Sequence, residues 1–301
     1  MYAAPVSTTQ ILLTGETGFL GQRVRLCLEA DPELTVRPLG MRLDELQPGD
    51  HGDVDVVIHL AAWTTKIAGV SDVKRIVSSN VLGLQALLSA LDPSPRRVML
   101  ASTADVYGWR GEGELTERSP LDPIDSYAAS KLLGEHITFE DGHARGYEVC
   151  VMRIGHLYGP GEEAYEKFVP SAIRALMKGR PPTVVGDGQT RRDLLYVDDA
   201  AEAIRRLAVL GHGMPQCVNL AAAETYTLEE IAQTLIDIVG FIGGIRYLSD
   251  HANPASVSFD TTLLRQTIGD WHRVGLSDGL RREIEHVVAL ERASMDVIGR
   301  G

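Results

Sequence analysis

Short apolar runs alternate with segments of helical periodicity through the first half of the chain. Helical spacing predicts helices over Arg23–Ala30, over Val73–Leu91, and from Ser126 to about His143. The apolar runs between them predict strands at Ile11–Leu13, Leu34–Leu39, Val54–Leu60, Arg97–Ala101 and Glu148–Ile154. Strands that alternate with helices are typical of a parallel sheet covered on both faces. The pattern therefore predicts an α/β fold with a doubly wound parallel sheet.

Beyond Tyr158 the alternation loosens. Glycine and proline separate shorter elements at Gly159–Gly161, Gly179–Pro182 and Gly186–Gly188. We therefore expect residues 1–158 to form a nucleotide-binding domain. Residues 159–301 are expected to form mainly a smaller substrate lobe, with some later segments returning to the first domain. A lobe over the carboxyl ends of the strands would lie where open α/β sheets bind ligands.

Three glycines spaced three residues apart follow the first predicted strand. A tight turn from strand to helix needs residues without a Cβ, and the N–H groups at a helix N-terminus attract a pyrophosphate. Glycines in this position, between a strand and a helix, indicate a dinucleotide site. The residues predicted to form it are Gly15, Thr17, Gly18, Phe19, Leu20 and Gly21.

The end of the second predicted strand bears on the choice of cofactor. An NAD site usually offers an Asp or Glu there to the ribose hydroxyls. The segment Arg37–Arg42 contains no acid, and Arg42 suits a 2′-phosphate. The sequence therefore favours NADP over NAD. The alternative is that Arg42 only begins a surface loop.

A tyrosine and a lysine four residues apart provide candidate chemistry. Tyr127 and Lys131 share one face if the segment is helical, and a nearby ammonium is expected to lower the pKa of Tyr127. Such a tyrosine passes a proton to or from a carbinol or carbonyl oxygen while a hydride moves to or from nicotinamide. Thr103, at the end of a predicted strand, could orient that oxygen. Alternatively, Ser102 and Thr103 only cap the next turn.

The order of these motifs resembles that of the extended short-chain dehydrogenases/reductases, the group of nucleotide-sugar epimerases, dehydratases and ketoreductases. The resemblance runs from Thr14–Gly21 through Ser102–Gly108 and Tyr127–Lys131 to Tyr196–Asp199. It implies a Rossmann-type domain, a C-terminal substrate lobe, and a bound nucleotide-diphosphate sugar. It implies the catalytic set Thr103, Tyr127 and Lys131, of which Tyr127 and Lys131 also contact the cofactor. Further residues that it implies are the cofactor contacts Leu60, Ala61, Ala62 and Asn80, and Arg192 on the diphosphate.

Departures from the family pattern narrow the expected activity. The 4,6-dehydratases of the family place an Asp-Glu pair after the catalytic threonine, whereas this chain has Ala104 and Asp105. Because alanine cannot act as an acid, dehydration is disfavoured. His156 stands near the Tyr-Gly-Pro segment, where many of the epimerases carry Asn, and either binds the substrate or is a packed structural residue. Thr64 and Ala104 are further candidates for the substrate pocket.

Three functions follow from this pattern. The first is an NADPH-dependent 4-ketoreductase acting on a nucleotide-linked 4-keto-6-deoxyhexose. The alternative is an NAD-dependent 4-epimerase of a nucleotide sugar, which needs the same Thr103, Tyr127 and Lys131. A non-catalytic dinucleotide-binding regulator is disfavoured because that set is intact.

Composition and charge limit the partners. A net charge of −12 argues against nucleic acid as a partner, and no apolar run reaches the roughly 18 residues of a membrane helix. Cys27, Cys150 and Cys217 stand apart without metal-like spacing, so we expect reduced core cysteines, no metal site and a cytoplasmic protein. The apolar faces of Val73–Leu91 and Ser126–His143 suggest a homodimer.

Overall fold

The computed structural model of the protein describes residues 8–50, 52–64, 72–108, 113–248, 255–271 and 273–298. Within them lies a six-stranded parallel sheet of β1 (Thr9–Thr14), β2 (Leu34–Pro38), β3 (Val56–His59), β4 (Arg97–Thr103), β6 (Glu148–Ile154) and β10 (Cys217–Leu220). The strand order is β10-β6-β4-β3-β1-β2. This is the predicted Rossmann-type sheet, and β10 is a late segment that returns to it.

Helices cover both faces of this sheet. They include α1 (Phe19–Glu29), α3 (Gly83–Ala90), α4 (Ser126–Arg145), α6 (Val197–Ala208) and α8 (Thr262–Ile268). Side chains alternate along a strand, so Ile11 and Leu13 of β1 pack in one core with α1 and α6. Leu12 points to the opposite face and packs in a second core with α3. Burial on both faces explains why the strands of this sheet have continuous apolar sequences.

The predicted helix Val73–Leu91 is interrupted. The structure has α2 (Val73–Ile76), a π-helical segment (Val77–Leu82), and then α3. The π-helical segment contains Asn80, whose side chain is buried. Apolar periodicity gave no sign of this change in hydrogen bonding, because the apolar face continues through the segment. The other predicted elements of the first half agree with the structure to within a few residues at each end.

A second, smaller set of elements follows β6. Its strands are β7 (His156–Tyr158), β8 (Thr183–Val185), β9 (Arg191–Tyr196), β11 (Thr225–Thr227) and β12 (Arg246–Leu248). Its helices are α5 (Phe168–Met177), α7 (Leu228–Val239) and α9 (Leu276–Ile298). Two short strands, β5 (Glu114–Leu115) from earlier in the chain and β13 (Ser258–Phe259), pair with each other. Its own apolar core joins α5, α7 and α9 around Tyr158 and Tyr196. This core lies beside the end of β6 because β7 follows β6 almost directly.

Two further sequence expectations concern partners and cysteines. No helix among the described residues is both long enough and apolar enough to cross a membrane.

Cys27, Cys150 and Cys217 all carry free thiols, and Cys150 is buried while the other two are half-buried. Burial raises the pKa of the Cys27 thiol to about 11, which keeps that thiol protonated at neutral pH.

Candidate active site

A cavity of about 390 Å³ lies at the carboxyl ends of β1, β3, β4 and β6. Parallel strands end at the same edge of a sheet, so the residues that directly follow them meet there. Gly15 follows β1, Leu60 follows β3, Ala104 follows β4 and Gly155 follows β6, and all four line the cavity. The cavity therefore occupies the edge at which open α/β sheets bind their ligands.

The glycine turn forms one wall of this cavity. Gly15 has a φ of +75°, and a Cβ added to it would lie 2.6 Å from the backbone nitrogen of Ala61. A Cβ on Gly21 would overlap the carbonyl oxygen of Gly15, so helix α1 approaches the turn as closely as its backbone permits. Gly18 is the N-cap of α1 and supplies no side-chain cap, which leaves the first N–H groups of the helix to a ligand. This turn fits a pyrophosphate.

A buried hydrogen bond joins β1 and β3 beneath the turn. The Thr14 hydroxyl lies 2.7 Å from Nδ1 of His59, and it also accepts the N–H of Ala61 at 3.3 Å. Burial and the charge of Lys131 lower the pKa of His59 to about 3, so the imidazole stays neutral. These hydrogen bonds of Thr14 hold the backbone of Ala61 so close to Gly15 that residue 15 cannot carry a side chain.

Helix α4 brings Tyr127 and Lys131 to the cavity. The carboxylate of Asp125 accepts the N–H of Ala128 at 2.7 Å and starts the helix, which places Tyr127 in the first turn. Lys131 follows one turn later, and both residues line the cavity. Their predicted placement on one face is found.

The protonation of these two residues differs from the sequence expectation. Burial, with a further contribution from the negative charge of Asp105, raises the pKa of Tyr127 above its ordinary value. Burial also lowers the pKa of Lys131 to about 8, against an opposing effect of Glu135. The expected lowering of the Tyr127 pKa by Lys131 is therefore wrong for this structure, because the cost of burying the phenolate is the larger effect.

Thr103, the last residue of β4, also lines the cavity. Its hydroxyl accepts the N–H of Asp105 at 3.2 Å, so it caps the next turn as the alternative interpretation expected. The two roles are compatible, since a hydroxyl that accepts one hydrogen bond can still donate another to a ligand oxygen. The neighbouring Ser102 donates a hydrogen bond of 2.5 Å to Glu135.

A buried ion pair supports the site from behind. The carboxylate of Glu135 lies 2.7 Å from the guanidinium of Arg153, and the side chains of both are less than 10% exposed. Arg153 also donates to the Tyr107 hydroxyl at 3.2 Å, and that hydroxyl donates to Asn219 at 2.6 Å. The network joins α4, which carries Lys131, to β6, β10 and the turn that follows Thr103.

Most of the predicted site residues converge on the cavity. They are Gly15, Thr17, Gly18, Phe19, Leu20, Gly21, Leu60, Ala61, Ala62, Thr64, Thr103, Ala104, Tyr127, Lys131 and His156. The side-chain hydroxyl of Thr64 is buried and has no hydrogen-bond partner among the described residues. A sugar hydroxyl or phosphate would supply one.

Arg42, Asn80 and Arg192 are not among the residues that line this cavity. The Arg42 side chain is 74% exposed and lies 3.9 Å from Glu45. The Asn80 amide accepts the N–H of Trp63 and donates to its carbonyl oxygen, so it holds the loop after β3. Arg192 donates to the carbonyl oxygen of Ala255 at 2.6 Å.

The cavity is also lined by residues that were not predicted from the sequence to belong to the site. They are Ala101, Ser102, Asp105, Ile154, Gly155, Leu157, Tyr165 and Lys167. Asp105 could have been selected, because it comes two residues after Thr103. Tyr165 and Lys167 lie in a segment without a recognisable motif. They line the cavity because of the path that this segment takes in the fold, which the sequence pattern does not reveal.

Comparisons with known proteins agree with this arrangement. The sequence model described as the NAD dependent epimerase/dehydratase family matches residues 11–221. A dTDP-glucose 4,6-dehydratase of Streptomyces griseus is 29% identical over 304 residues, covering 91% of this chain and 92% of that protein. The uncharacterised UDP-glucose epimerase YtcB of Bacillus subtilis strain 168 is 30% identical over 246 residues, covering 79% and 75%.

A solved structure matches over nearly the whole chain. It is the UDP-glucuronic acid 4-epimerase of Bacillus cereus in complex with UDP-glucuronic acid and NAD, at 23% identity and a TM-score of 0.83. The match covers 94% of this chain and 100% of that one, and at 23% identity it shows a shared fold. The family model spans well over half of the chain, from β1 to the residue after β10. The protein thus belongs to the NAD-dependent epimerase/dehydratase family, whose members are enzymes that act on nucleotide sugars.

Proposed function

We propose that the protein is an NAD-dependent 4-epimerase of a nucleotide-diphosphate sugar. The observation that carries this proposal is the residue after Thr103. Ala104 lines the cavity where the dehydratase pattern places an acid, so a proton donor for the loss of water is missing at that position. Thr103, Tyr127 and Lys131, which oxidation and reduction at a sugar carbon need, are together in the cavity.

The cavity side chains divide the work at the sugar C4. NAD held at the glycine turn would supply the acceptor, and then the donor, of the hydride at C4. Tyr127 takes the proton of the C4 hydroxyl as the carbonyl forms, and gives it back as the carbonyl is reduced. Lys131 favours the ionised form of Tyr127 once both face the ligand, and Thr103 donates a hydrogen bond that orients the C4 oxygen.

The cofactor is proposed to be NAD, held at the glycine turn. The similar solved structure contains NAD, which favours NAD over the NADP expected from the strand end. The guanidinium of Arg42 lies 3.9 Å from the carboxylate of Glu45, which would compete with a 2′-phosphate for it. With NAD retained and regenerated in each cycle, the epimerase is also favoured over the NADPH-dependent 4-ketoreductase.

The substrate is proposed to be a UDP- or dTDP-linked hexose lying between the cavity and the smaller lobe, formed mainly by residues 159–301. Thr64 and His156 would contact the sugar, since both line the cavity. Arg192 would contact the diphosphate from β9. A homodimer through α2, α3 and α4 is proposed as well. Exposed apolar side chains on α2, on the π-helical segment before α3 and on α4 support it: Val73, Val77, Leu82 and Leu133.

One assay separates the candidate functions. Purified protein is incubated without added cofactor with UDP-glucuronate, UDP-glucose or dTDP-glucose, and the sugars are identified by NMR. The proposal expects the C4 epimer of one of them and a bound nucleotide whose mass is that of NAD. A 4-keto-6-deoxy product would identify a dehydratase instead. Consumption of NADPH with such a ketone, and no epimer, would identify a ketoreductase.

A further inference from the structure

Two carboxyl groups and one amine are packed together beside the cavity. Glu162 follows the turn at Gly161 and is 2% exposed, and Glu283 of α9 is fully buried. Nζ of Lys167, the N-cap residue of α5, lies 2.7 Å from Oε1 of Glu162. The proposed chemistry uses none of these three residues.

The carboxyl oxygens of this cluster are short of hydrogen-bond donors. At ordinary hydrogen-bond distances and angles no described donor reaches either oxygen of Glu283 or Oε2 of Glu162. A carboxylate buried without a donor is costly, so a proton on one of the two carboxyl groups is favoured. Burial, with the charge of Glu162, raises the pKa of Glu283 to about 9, in agreement with a proton held at neutral pH.

Lys167 connects this cluster to the cavity. Its ammonium donates to the carbonyl oxygen of Leu157 at 3.1 Å, and it lies 5.3 Å from the ring centre of Tyr165 and 5.7 Å from that of Phe19. Phe19 begins helix α1 at the glycine turn, and Lys167 itself lines the cavity. An ammonium has three N–H donors, and the described residues account for two of them.

We propose that Glu162 and Glu283 share one proton and so position Lys167 to bind a phosphate of the ligand. With one proton the pair carries a single negative charge, which Lys167 balances while it keeps one N–H for the ligand. With no proton, two negative charges beside Lys167 would weaken its attraction for an anion. The phosphate belongs either to the dinucleotide or to the sugar nucleotide. The inference rests on the proposed function for this choice of ligands.

Other charged groups surround the cluster. Glu163 lies 3.5 Å from His286 of α9, and the charge of Glu163 also raises the pKa of Glu283. The phenol of Tyr158 is buried nearby, and Arg282 stacks on Tyr196 at 5.6 Å. Tyr165 contributes a second phenol on the cavity side, and its pKa is raised by burial. Any test by pH therefore needs a variant that changes only the shared proton.

Glu283→Gln is that variant, because its carboxamide donates to Glu162 without titrating. A raised pKa in the folded protein gives stability that is complete below about pH 4.3 and is lost as pH rises toward 9. We expect Glu283→Gln to match the wild type at pH 5 in urea unfolding and to exceed it at pH 9. The ratio of folded to unfolded protein should then be at least about tenfold higher in the variant. Glu285→Gln, an exposed position on the same helix, is the control and should follow the wild type.

Calorimetric titration tests Lys167, with NAD on protein from which the retained nucleotide has been removed and with UDP-glucuronate on the protein as purified. We expect Lys167→Met to raise the Kd of the ligand whose phosphate it contacts by about tenfold or more. Lys167→Arg should restore most of that loss. Glu283→Gln should keep the wild-type Kd at pH 7 and lose less affinity than the wild type between pH 8 and 10. The loss that remains in the variant is expected from Lys131, which also titrates in this range.

Three results would each overturn the proposal. They are wild-type Kd values for both ligands in Lys167→Met, the same pH dependence of stability in Glu283→Gln and wild type, and a loss of binding in Glu283→Gln as large as in Lys167→Met. Failure of the wild type to bind either ligand would instead count against the proposed function. The unfolding measurements would still decide whether the carboxyl pair holds a proton.

Discussion

Lys131 and Glu135 lie one turn apart on the buried face of α4, and the carboxylate of Glu135 keeps Lys131 more basic than burial alone would allow. Their exposed fractions are 5% and 2%. Burial lowers the pKa of Lys131 to about 8, and the charge of Glu135 acts in the opposite direction. The ammonium of Lys131 is therefore present at neutral pH and is lost as pH rises through 8.

Activity should consequently fall on the alkaline side. We expect kcat/KM to decrease as pH rises past about 8, because uncharged Lys131 no longer favours the ionised Tyr127. Glu135→Gln should move this decrease to lower pH. The substitution also leaves Arg153 without its buried partner, which should reduce the free energy of unfolding by about 3 kcal/mol or more. Glu140→Gln, exposed on the same helix, is the control, and an unmoved alkaline limb in Glu135→Gln would contradict the assignment.

The charge of Asp105 should limit activity at neutral pH. Burial is the larger cause of the raised pKa of Tyr127, and the negative charge of Asp105 is the next. Removing that charge with Asp105→Asn should lower the pKa of Tyr127 and raise kcat/KM at pH 7, because a larger fraction of Tyr127 is then ionised. A kcat/KM equal to that of the wild type would show that Tyr127 is not the group that must ionise.

The sequence was sufficient for the main sheet and for much of the cavity, because both follow from the order of elements. Buried parallel strands have continuous apolar sequences, and residues after their carboxyl ends must meet. Lys167 could not be predicted in this way, since its place depends on the path of the chain after Tyr158. The raised pKa of Tyr127 depends on the extent of burial, which a spacing of four residues does not reveal.

The glycine turn offers a test of close approach. Gly15 and Gly146 both have a positive φ, but a Cβ on Gly146 would meet no atom within 4 Å. Gly146→Ala should cost about 1 kcal/mol of unfolding free energy through backbone strain alone. Gly15→Ala should cost more and abolish NAD binding, because its Cβ would press on Ala61. Equal losses in the two variants by urea unfolding would mean that the turn has room for a side chain.

Tyr127→Phe should separate binding from chemistry. The ring that lines the cavity is kept and the hydroxyl is lost, so bound NAD should be retained in freshly purified protein. The turnover number should fall by a factor of roughly 10² to 10⁴, the usual contribution of a positioned proton-transfer group. A variant with nearly full turnover would remove Tyr127 from the chemistry.

The fate of the C4 hydrogen is the sharpest test of the proposed 4-epimerase. A UDP-hexose carrying deuterium at C4 is incubated in ordinary water with the protein and no added cofactor, and the products are examined by NMR and mass spectrometry. Transfer to bound NAD and back predicts a C4 epimer that retains its deuterium at C4. Absence of the epimer, or an epimer whose C4 deuterium has been replaced by hydrogen from water, would contradict the proposed function.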